Sequence, residues 1–259
     1  KSYIGLILLF LYIPIFYIII FSFTDTKVMG QWQGFTFDLY KNLFYGPNSE
    51  RLGNAVKNTI VLAFFASLIS TILGTSAAIG IFYSNKRTRR TMNTISQLPI
   101  LNAEIVTSIS ISILFTSLAI GKGFGTLLTA HIVLCAPFVV LSVTPKIRQL
   151  NKNTYEAALD LGATPLQALI KVILPEIMPG MITGFVLSFT LSIDDFIFTV
   201  FNTQEYTTLT KFIWEDAVKG GLTPELRALS AIIFLLVFSV LLIVNFKTKN
   251  KVVEHSFVK

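Results

Sequence analysis

Three acidic residues fall inside apolar stretches of the sequence. Glu104 lies in one stretch, and Asp194 and Asp195 lie together in another; neither stretch contains lysine or arginine. A carboxylate at the centre of a membrane costs roughly 2.5–3.5 kcal/mol on the insertion scale. Such a group must be protonated, face water or meet a cation that comes from elsewhere. These unpaired acids therefore indicate a path for a cationic solute.

Hydroxyl groups accompany the paired aspartates. If the segment is one continuous helix, its polar residues form a single stripe. The stripe consists of Ser188, Ser192, Asp195 and Thr199. Phe189 runs beside it, and an aromatic ring attracts an organic ammonium by about 0.5–2 kcal/mol. Two alternatives stay open: the aspartates cap or solvate the outer end of the span, and Glu104 bonds to a neighbouring polar group or a sister subunit.

The composition indicates an all-α polytopic membrane protein. Of the 259 residues, 53% are hydrophobic and only 14% are charged, and the mean hydropathy is +0.69. A soluble core does not need so much apolar sequence. The lone cysteine, Cys135, lies in an apolar run, which excludes a disulfide within the chain and favours a packing role. We expect a single transmembrane domain over residues 1–259.

Six transmembrane helices are predicted from the apolar runs, at about 4–23, 59–83, 94–118, 126–143, 177–201 and 228–246. The first run has an alternative as a cleaved signal peptide, but it is long, Pro14 interrupts it, and no small-x-small cleavage site follows. Four of the six residues from Asn85 to Arg90 are basic, which places that loop in the cytoplasm. Both termini are then cytoplasmic, and most of the 21 basic residues lie inside.

The loop at 144–176 reads as two short helices joined by a turn. Asn153 is the predicted N-cap of the first helix, and Glu156 reaches back to it in a capping box. Gly162 suits the left-handed conformation that ends a helix. On these local signals alone, the loop is equally a plain surface helix pair between two spans.

The second helix of this loop has its own start and stop signals. Thr164 is the predicted N-cap, Pro165 occupies the first helical position, and Gln167 completes a second capping box. Pro175 is predicted to end the helix. Each of the two helices in this loop therefore has a predicted start and a predicted end.

The spacing of residues in this loop resembles the EAA loop of ABC importer permeases. The matching residues are Glu156, Ala157, Ala158, Gly162, Val172 (where the family prefers Ile), Ile173, Leu174 and Pro175. The resemblance implies that the loop docks on a cytoplasmic ATPase subunit, which binds ATP and Mg²⁺. The chain itself is then a transport subunit without a cofactor or metal, and not an enzyme. The coupling residues implied are Glu156, Ala157, Ala158, Leu161, Gly162, Ala163 and Pro175.

Further segments resemble PotC-type permeases of spermidine/putrescine ABC importers, over nearly the whole chain. They run from Leu187 to Phe196, from Trp32 to Phe35 and from Leu222 to Glu225. The resemblance implies a polyamine path in a bacterial cytoplasmic membrane. The predicted path residues are Asp194, Asp195, Glu104, Ser192, Ser188 and Phe189. The implied partners are a PotB-like sister permease, two PotA-like ATP-binding subunits and a PotD-like extracytoplasmic binding protein.

Two other classes of function remain as alternatives. The same fold serves other cargo, such as iron, an amino acid or an oxyanion, although an anion path needs basic residues in the spans and a metal site favours histidine. His131 and His255 are the two histidines, and His131 is expected to pack and not to ligate. The other alternative is an intramembrane hydrolase, but the sequence contains no G-x-S-x-G, no H-E-x-x-H and no acid placed for His131. Adjacent aspartates on a helix also point about 100° apart.

Overall fold

The computed structural model describes residues 2–26, 30–219 and 223–239, and all regular secondary structure within them is helical. The helices are α1 (Ser2–Phe21), α2 (Asp38–Tyr45), α3 (Ser49–Tyr83), α4 (Lys86–Leu101), α5 (Glu104–Ser117), α6 (Phe124–Gln149), α7 (Lys152–Asp160), α8 (Pro165–Ala168), α9 (Leu174–Asp194), α10 (Ile197–Asn202) and α11 (Leu209–Lys219). A π-helical turn, Leu169–Ile173, joins α8 to α9, and α12 occupies residues 225–239. The chain forms two compact units, residues 1–53 with 213–259 and residues 54–212.

Three helical stretches among the described residues are long and apolar enough to cross a membrane: Ser49–Tyr83, Phe124–Gln149 and Pro165–Asp194. A fourth candidate is the pair α4 and α5, which is bent by 101°. The predicted span 94–118 is therefore bent where a straight helix was expected. Asn102 and Ala103 adopt extended backbone and break the helix, so that Glu104 begins a new one. The predicted span 228–246 continues beyond residue 239, outside the described residues.

The larger unit is held together by a close approach of α3, α6 and α9 at Val139. A Cβ added to Gly74 would lie 2.6 Å from the Val139 Cβ, and one added to Gly184 would lie 3.2 Å from the Val139 Cγ1. The glycines therefore allow backbones to meet, as small residues do in membrane helix packing. Gly80, further along the same helix, meets open space instead.

The segment predicted to couple to an ATPase is anchored in this same core. Buried apolar residues from α3, α6, the π turn and α9 form one cluster: Ala78, Val139, Val140, Val143, Ile147, Ile173 and Ile177. Helices in lipid are held together by van der Waals packing of such side chains. A displacement of the π turn is therefore passed directly to packed side chains of three helices.

The caps of the coupling segment differ in part from the prediction. The predicted N-cap Asn153 is wrong, because α7 begins at Lys152 and the Asn151 side chain accepts the N–H of Asn153 at 3.1 Å. Gly162 has φ +84°, as predicted for the turn. The second capping box is confirmed: Thr164 Oγ1 accepts the Gln167 N–H at 3.3 Å, and Gln167 Oε1 accepts the Thr164 N–H at 3.0 Å.

Pro175 does not end the second helix. The N–H of Leu174 donates to the Leu169 carbonyl, a π-type bond, and α9 then continues to Asp194. Pro175 falls at the start of α9, where its missing N–H interrupts the ladder of bonds without breaking the helix. Helix α8, the π turn and α9 are consequently one continuous helical stretch, Pro165–Asp194.

The smaller unit is organised by polar bonds and stacked rings around the end of α1. The Arg227 guanidinium donates to the carbonyl oxygens of Phe21 and Thr26. Ser22 Oγ and the Tyr40 hydroxyl lie 2.7 Å apart. The Phe23 ring stacks on that of Phe35, with ring centroids 5.2 Å apart. These contacts close the segment that follows α1 against α2 and α12.

Candidate functional site

The predicted polar stripe is interrupted between α9 and α10. Helix α9 ends at Asp194, and Asp195 and Phe196 separate it from α10. The Asp195 carboxylate accepts the N–H of Phe198 at 3.2 Å and that of Thr199 at 3.0 Å. An acid is favoured at the positive end of a helix, where these N–H groups lack partners. The continuous span predicted over 177–201 is therefore two helices joined at Asp195.

His131 of α6 lies against this break. Its Nδ1 is 2.8 Å from Ser192 Oγ, and its Nε2 is 3.3 Å from both Asp195 Oδ2 and Thr199 Oγ1. The expectation that no acid is placed for His131 was wrong, because the residues come together only when α6 packs on α9 and α10. Next to it, the Cys135 thiol donates to the Ser188 carbonyl oxygen at 3.4 Å. His131 and Cys135 thus have packing roles, as expected.

Serine, histidine and aspartate in contact are also the components of a hydrolytic triad. Here His131 is 0% exposed, Ser192 2% and Asp195 8%. The histidine bonds to both partners, and the aspartate is already committed to the first turn of α10. A substrate carbonyl has no approach to Ser192 Oγ in this arrangement. The cluster therefore positions helices and gives no support to the hydrolase alternative.

Helices α5 and α10 are joined by a second set of polar bonds, which the sequence did not reveal. The Ser108 hydroxyl donates to the Ile197 carbonyl oxygen at 3.2 Å, and the Ser112 hydroxyl donates to that of Phe201 at 2.8 Å. Lys122 Nζ donates to Ser112 Oγ at 2.7 Å and to the Phe201 carbonyl oxygen at 3.1 Å. In the sequence, the only sign of this contact is the four-residue spacing of Ser108 and Ser112, which places both on one face of a helix.

The predicted path residues divide into two groups. Ser188, Ser192 and Asp195 are buried within the chain. Glu104 and Asp194 are exposed at helix ends, and Phe189 is half-buried with its ring stacked on Phe185, centroids 6.2 Å apart. The accessible carboxylates are therefore those of Asp194, which ends α9 at the break before α10, and of Glu104, which begins α5.

The coupling segment presents apolar side chains outward. Leu161 is 89% exposed, and Leu166 and Ile170 are also exposed. Glu156, Ala157, Gly162 and Pro175 are exposed as well, while Ala158 and Ala163 are half-buried. Behind them, Ala168 and Ile173 are buried. An exposed apolar ridge on a firmly anchored element is typical of a surface that binds another protein.

The fold is that of the permease subunits of type I ABC importers. It matches a bacterial ABC transporter involved in the import of the acidic polysaccharide alginate with a TM-score of 0.72 and 18% identity, over 96% of this chain and 93% of that one. It also matches the MetNI methionine ABC transporter with a TM-score of 0.62 and 16% identity, over 78% and 95% of the two chains.

The chain belongs to the family of binding-protein-dependent transport system inner membrane components, whose model matches residues 70–248. It is therefore a multi-pass transport subunit of the inner membrane. It is 31% identical to the spermidine/putrescine permease PotC of Haemophilus influenzae, over 96% of each chain. It is 35% identical to PotC of Escherichia coli K12, over 91% of this chain and 87% of that one. It is 32% identical to the putrescine permease PotI of Escherichia coli K12, over 86% and 81%.

Proposed function

We propose that this chain is a permease subunit of an ATP-driven importer for polyamines, with spermidine and putrescine as the cargo class. The observation that carries the proposal is its identity of 31–35% to spermidine/putrescine permeases over nearly its whole length. The exposed carboxylates of Asp194, at the end of α9, and Glu104, at the start of α5, suit a cationic cargo because neither helix contains a basic residue. An acidic polysaccharide or an oxyanion would meet repulsion there.

The proposed topology has six spans with both termini in the cytoplasm. The basic segment Asn85–Arg90, which caps and begins α4, supports this orientation through the positive-inside rule. The loop 144–176, with α7 and α8, is then cytoplasmic. The lysines after residue 246 that complete the charge pattern lie outside the described residues.

In the proposed path, Glu104 and Asp194 meet the ammonium groups of the cargo directly, and the Phe189 ring adds a cation–π surface. Asp195 has a structural role in this proposal. It accepts an N–H of the first turn of α10, and its contact with His131 holds the break between α9 and α10 against α6. Ser188 and Ser192 belong to the same buried arrangement. A polyamine then passes accessible carboxylates whose positions are set by a rigid polar cluster.

The proposed coupling surface comprises Glu156, Ala157, Ala158, Leu161, Gly162, Ala163 and Pro175, and we include the exposed residues Leu166 and Ile170 in it. ATP and Mg²⁺ would be bound by two PotA-like partner subunits. A PotB-like sister permease would supply the other half of the path, and a PotD-like binding protein would deliver the cargo. Motion of α7 and α8 reaches α9 through the continuous π turn, a shift of packed helices.

Uptake of labelled spermidine into cells tests the proposal. The chain is expressed with its candidate partners in cells that lack polyamine import, and excess unlabelled putrescine, methionine or alginate oligomer is added as competitor. We expect uptake that requires the chain and that only putrescine reduces. Absence of polyamine uptake from an assembled complex would refute the cargo assignment and leave the family membership intact.

A further inference from the structure

A cleft of about 270 Å³ lies beside the coupling segment, between the end of α3, the first turns of α4 and the start of α7. Its lining combines apolar and polar groups: Phe82, Tyr83, Arg89, Leu150, Asn151, Tyr155 and Glu156. The rings of Tyr83 and Tyr155 contact each other in its wall, with centroids 5.7 Å apart and planes tilted by 47°. The cleft thus has an apolar wall next to hydroxyl, amide and guanidinium groups.

Arg89 is the cationic group of this cleft. Its Nη2 donates to the Ser84 carbonyl oxygen at 3.1 Å, and its guanidinium carbon lies 5.3 Å from the centre of the Phe82 ring. Its Nε is buried without an acceptor in the part of the chain that the structure describes. A buried N–H of a charged group that lacks an acceptor is costly, about 1–3 kcal/mol or more. The site therefore favours a ligand that brings anionic oxygens.

The position of the cleft narrows the class of that ligand. Phe82 and Tyr83 end the long apolar helix α3, so the cleft opens where the chain leaves the hydrocarbon region. In the topology proposed above, on which this inference rests, that is the cytoplasmic face. Lys86 and Arg87 precede Arg89 in the chain and add positive charge to the start of α4. An arginine fork recognises phosphate oxygens with paired hydrogen bonds, and basic clusters at this depth attract anionic lipids.

We propose that the Arg89 cleft binds the phosphate of an anionic phospholipid headgroup. The guanidinium holds the phosphate oxygens, the hydroxyls of Tyr83 and Tyr155 donate to them or to the glycerol oxygens, and Phe82 and Leu150 contact the start of the acyl chains. A free organic phosphate has the same polar chemistry but cannot use the apolar wall. A lipid is therefore the stronger ligand.

A phosphate bound in the cleft would also act on the side chain of Glu156. This carboxylate lines the same cleft and belongs to the coupling segment. Glu156 is exposed in the structure. A phosphate bound to Arg89 repels its carboxylate and so keeps the side chain on the face that meets the proposed ATPase partner. The lipid thus favours the orientation of Glu156 that is available to a partner.

Lipid retention by the purified complete complex tests the site. The complex is placed in nanodiscs of phosphatidylcholine with increasing phosphatidylglycerol, and retained phosphatidylglycerol is measured by spin-labelled lipid and by mass spectrometry after extraction. Arg89→Gln is compared with Arg90→Gln, which removes the same charge from the same basic run outside the cleft lining. We expect Arg89→Gln to weaken binding by about ten- to a hundredfold, as loss of a charged hydrogen bond does, Tyr155→Phe to weaken it less, and Arg90→Gln to change it little.

A second arm distinguishes lipid from soluble phosphate. Glycerol phosphate at millimolar concentration is added to the same nanodiscs. Unchanged lipid retention supports the lipid site, whereas displacement of the lipid, or equal losses in Arg89→Gln and Arg90→Gln, overturns it. Retention is measured without polyamine, so a wrong cargo assignment leaves this result unaffected. The proposed link to Glu156 further predicts that ATP hydrolysis stimulated by phosphatidylglycerol is lost in Arg89→Gln and kept in Arg90→Gln.

Discussion

The Nε2 atom of His131, in the middle of α6, lies 3.3 Å from Oδ2 of Asp195, at the break between α9 and α10. The same carboxylate accepts two backbone N–H groups of α10. The Asp195 side chain therefore accepts the unpaired N–H groups at the start of α10 and links that helix to α6. Of the two adjacent aspartates, Asp195 is buried in these contacts and Asp194 is exposed.

Removal of the Asp195 carboxylate should destabilise the chain. Asp195→Ala leaves His131 and the first turn of α10 without their acceptor, and loss of one partner of a buried pair costs about 3–5 kcal/mol. We expect a marked fall in the thermal unfolding midpoint of the purified complex, followed by intrinsic fluorescence in detergent. Asp194→Ala, one residue away and exposed, is the matched control and should leave the midpoint unchanged.

The contact between the two residues can be isolated by a double-mutant cycle. His131→Ala and Asp195→Ala combined should cost less than the sum of the single changes, with a coupling of about 0.5–3 kcal/mol. Strictly additive losses would show that the 3.3 Å contact has no energetic role.

The approach of α3 to α6 should tolerate no side chain at Gly74. Gly74→Ala places a methyl group against Val139, and overpacking of this kind costs about 1–3 kcal/mol. Gly80→Ala, on the same helix with open space around it, should be neutral or slightly stabilising. The measurement is the thermal unfolding midpoint of each variant. Val139→Ala should partly restore Gly74→Ala, and failure of that rescue would argue against the packing explanation.

The exposed carboxylates should govern transport without affecting assembly. Asp194→Asn or Glu104→Gln removes a charged partner of the cargo, which is worth about 1.5–3 kcal/mol, so we expect spermidine uptake to fall about ten- to a hundredfold. Uptake is measured at equal amounts of assembled complex, quantified by pull-down of the ATPase subunit. Asp38→Asn removes an exposed carboxylate elsewhere and serves as the control. Unchanged uptake in both variants would show that these acids are structural.

The apolar ridge of the coupling segment should be needed for ATPase binding. Leu161→Asp places a charge in the proposed interface, and we expect recovery of the ATPase subunit in a pull-down to fall at least about tenfold. The fold should persist, because Leu161 is almost fully exposed. Tyr45→Asp changes a similarly exposed apolar residue of α2 and should leave recovery unchanged. Equal recovery for both variants would place the interface elsewhere.

Local signals in the sequence predicted local structure well. The capping box of Thr164 and Gln167 and the left-handed Gly162 depend on residues close in the chain, and both are confirmed. Asn153 was predicted as a cap, but the side chain of Asn151 offers the same acceptor earlier in the chain. Two candidate caps so close together cannot be ranked from sequence, since the side chain of either can accept an N–H of the first helical turn.

Contacts between residues far apart in the chain could not be predicted from the sequence. The contact of His131 with Asp195 exists only because α6 lies along α9 and α10, and the interruption of the stripe at Asp195 follows from that packing. Pro175 is a stop signal in isolation, but the preceding π turn allows the helix to continue through it. The apolar run predicts Glu104 within a span, whereas the bend before it makes Glu104 the first residue of a helix.

Transport by the purified complex in liposomes tests the polyamine assignment most directly. The chain is reconstituted with its sister permease, ATPase subunits and binding protein, and labelled spermidine inside the vesicles is followed with ATP or a non-hydrolysable analogue on the ATPase side. We expect accumulation that requires ATP hydrolysis and the binding protein and that is lost with Asp194→Asn. If an intact, ATP-hydrolysing complex accumulates neither spermidine nor putrescine, the chain serves a different cargo.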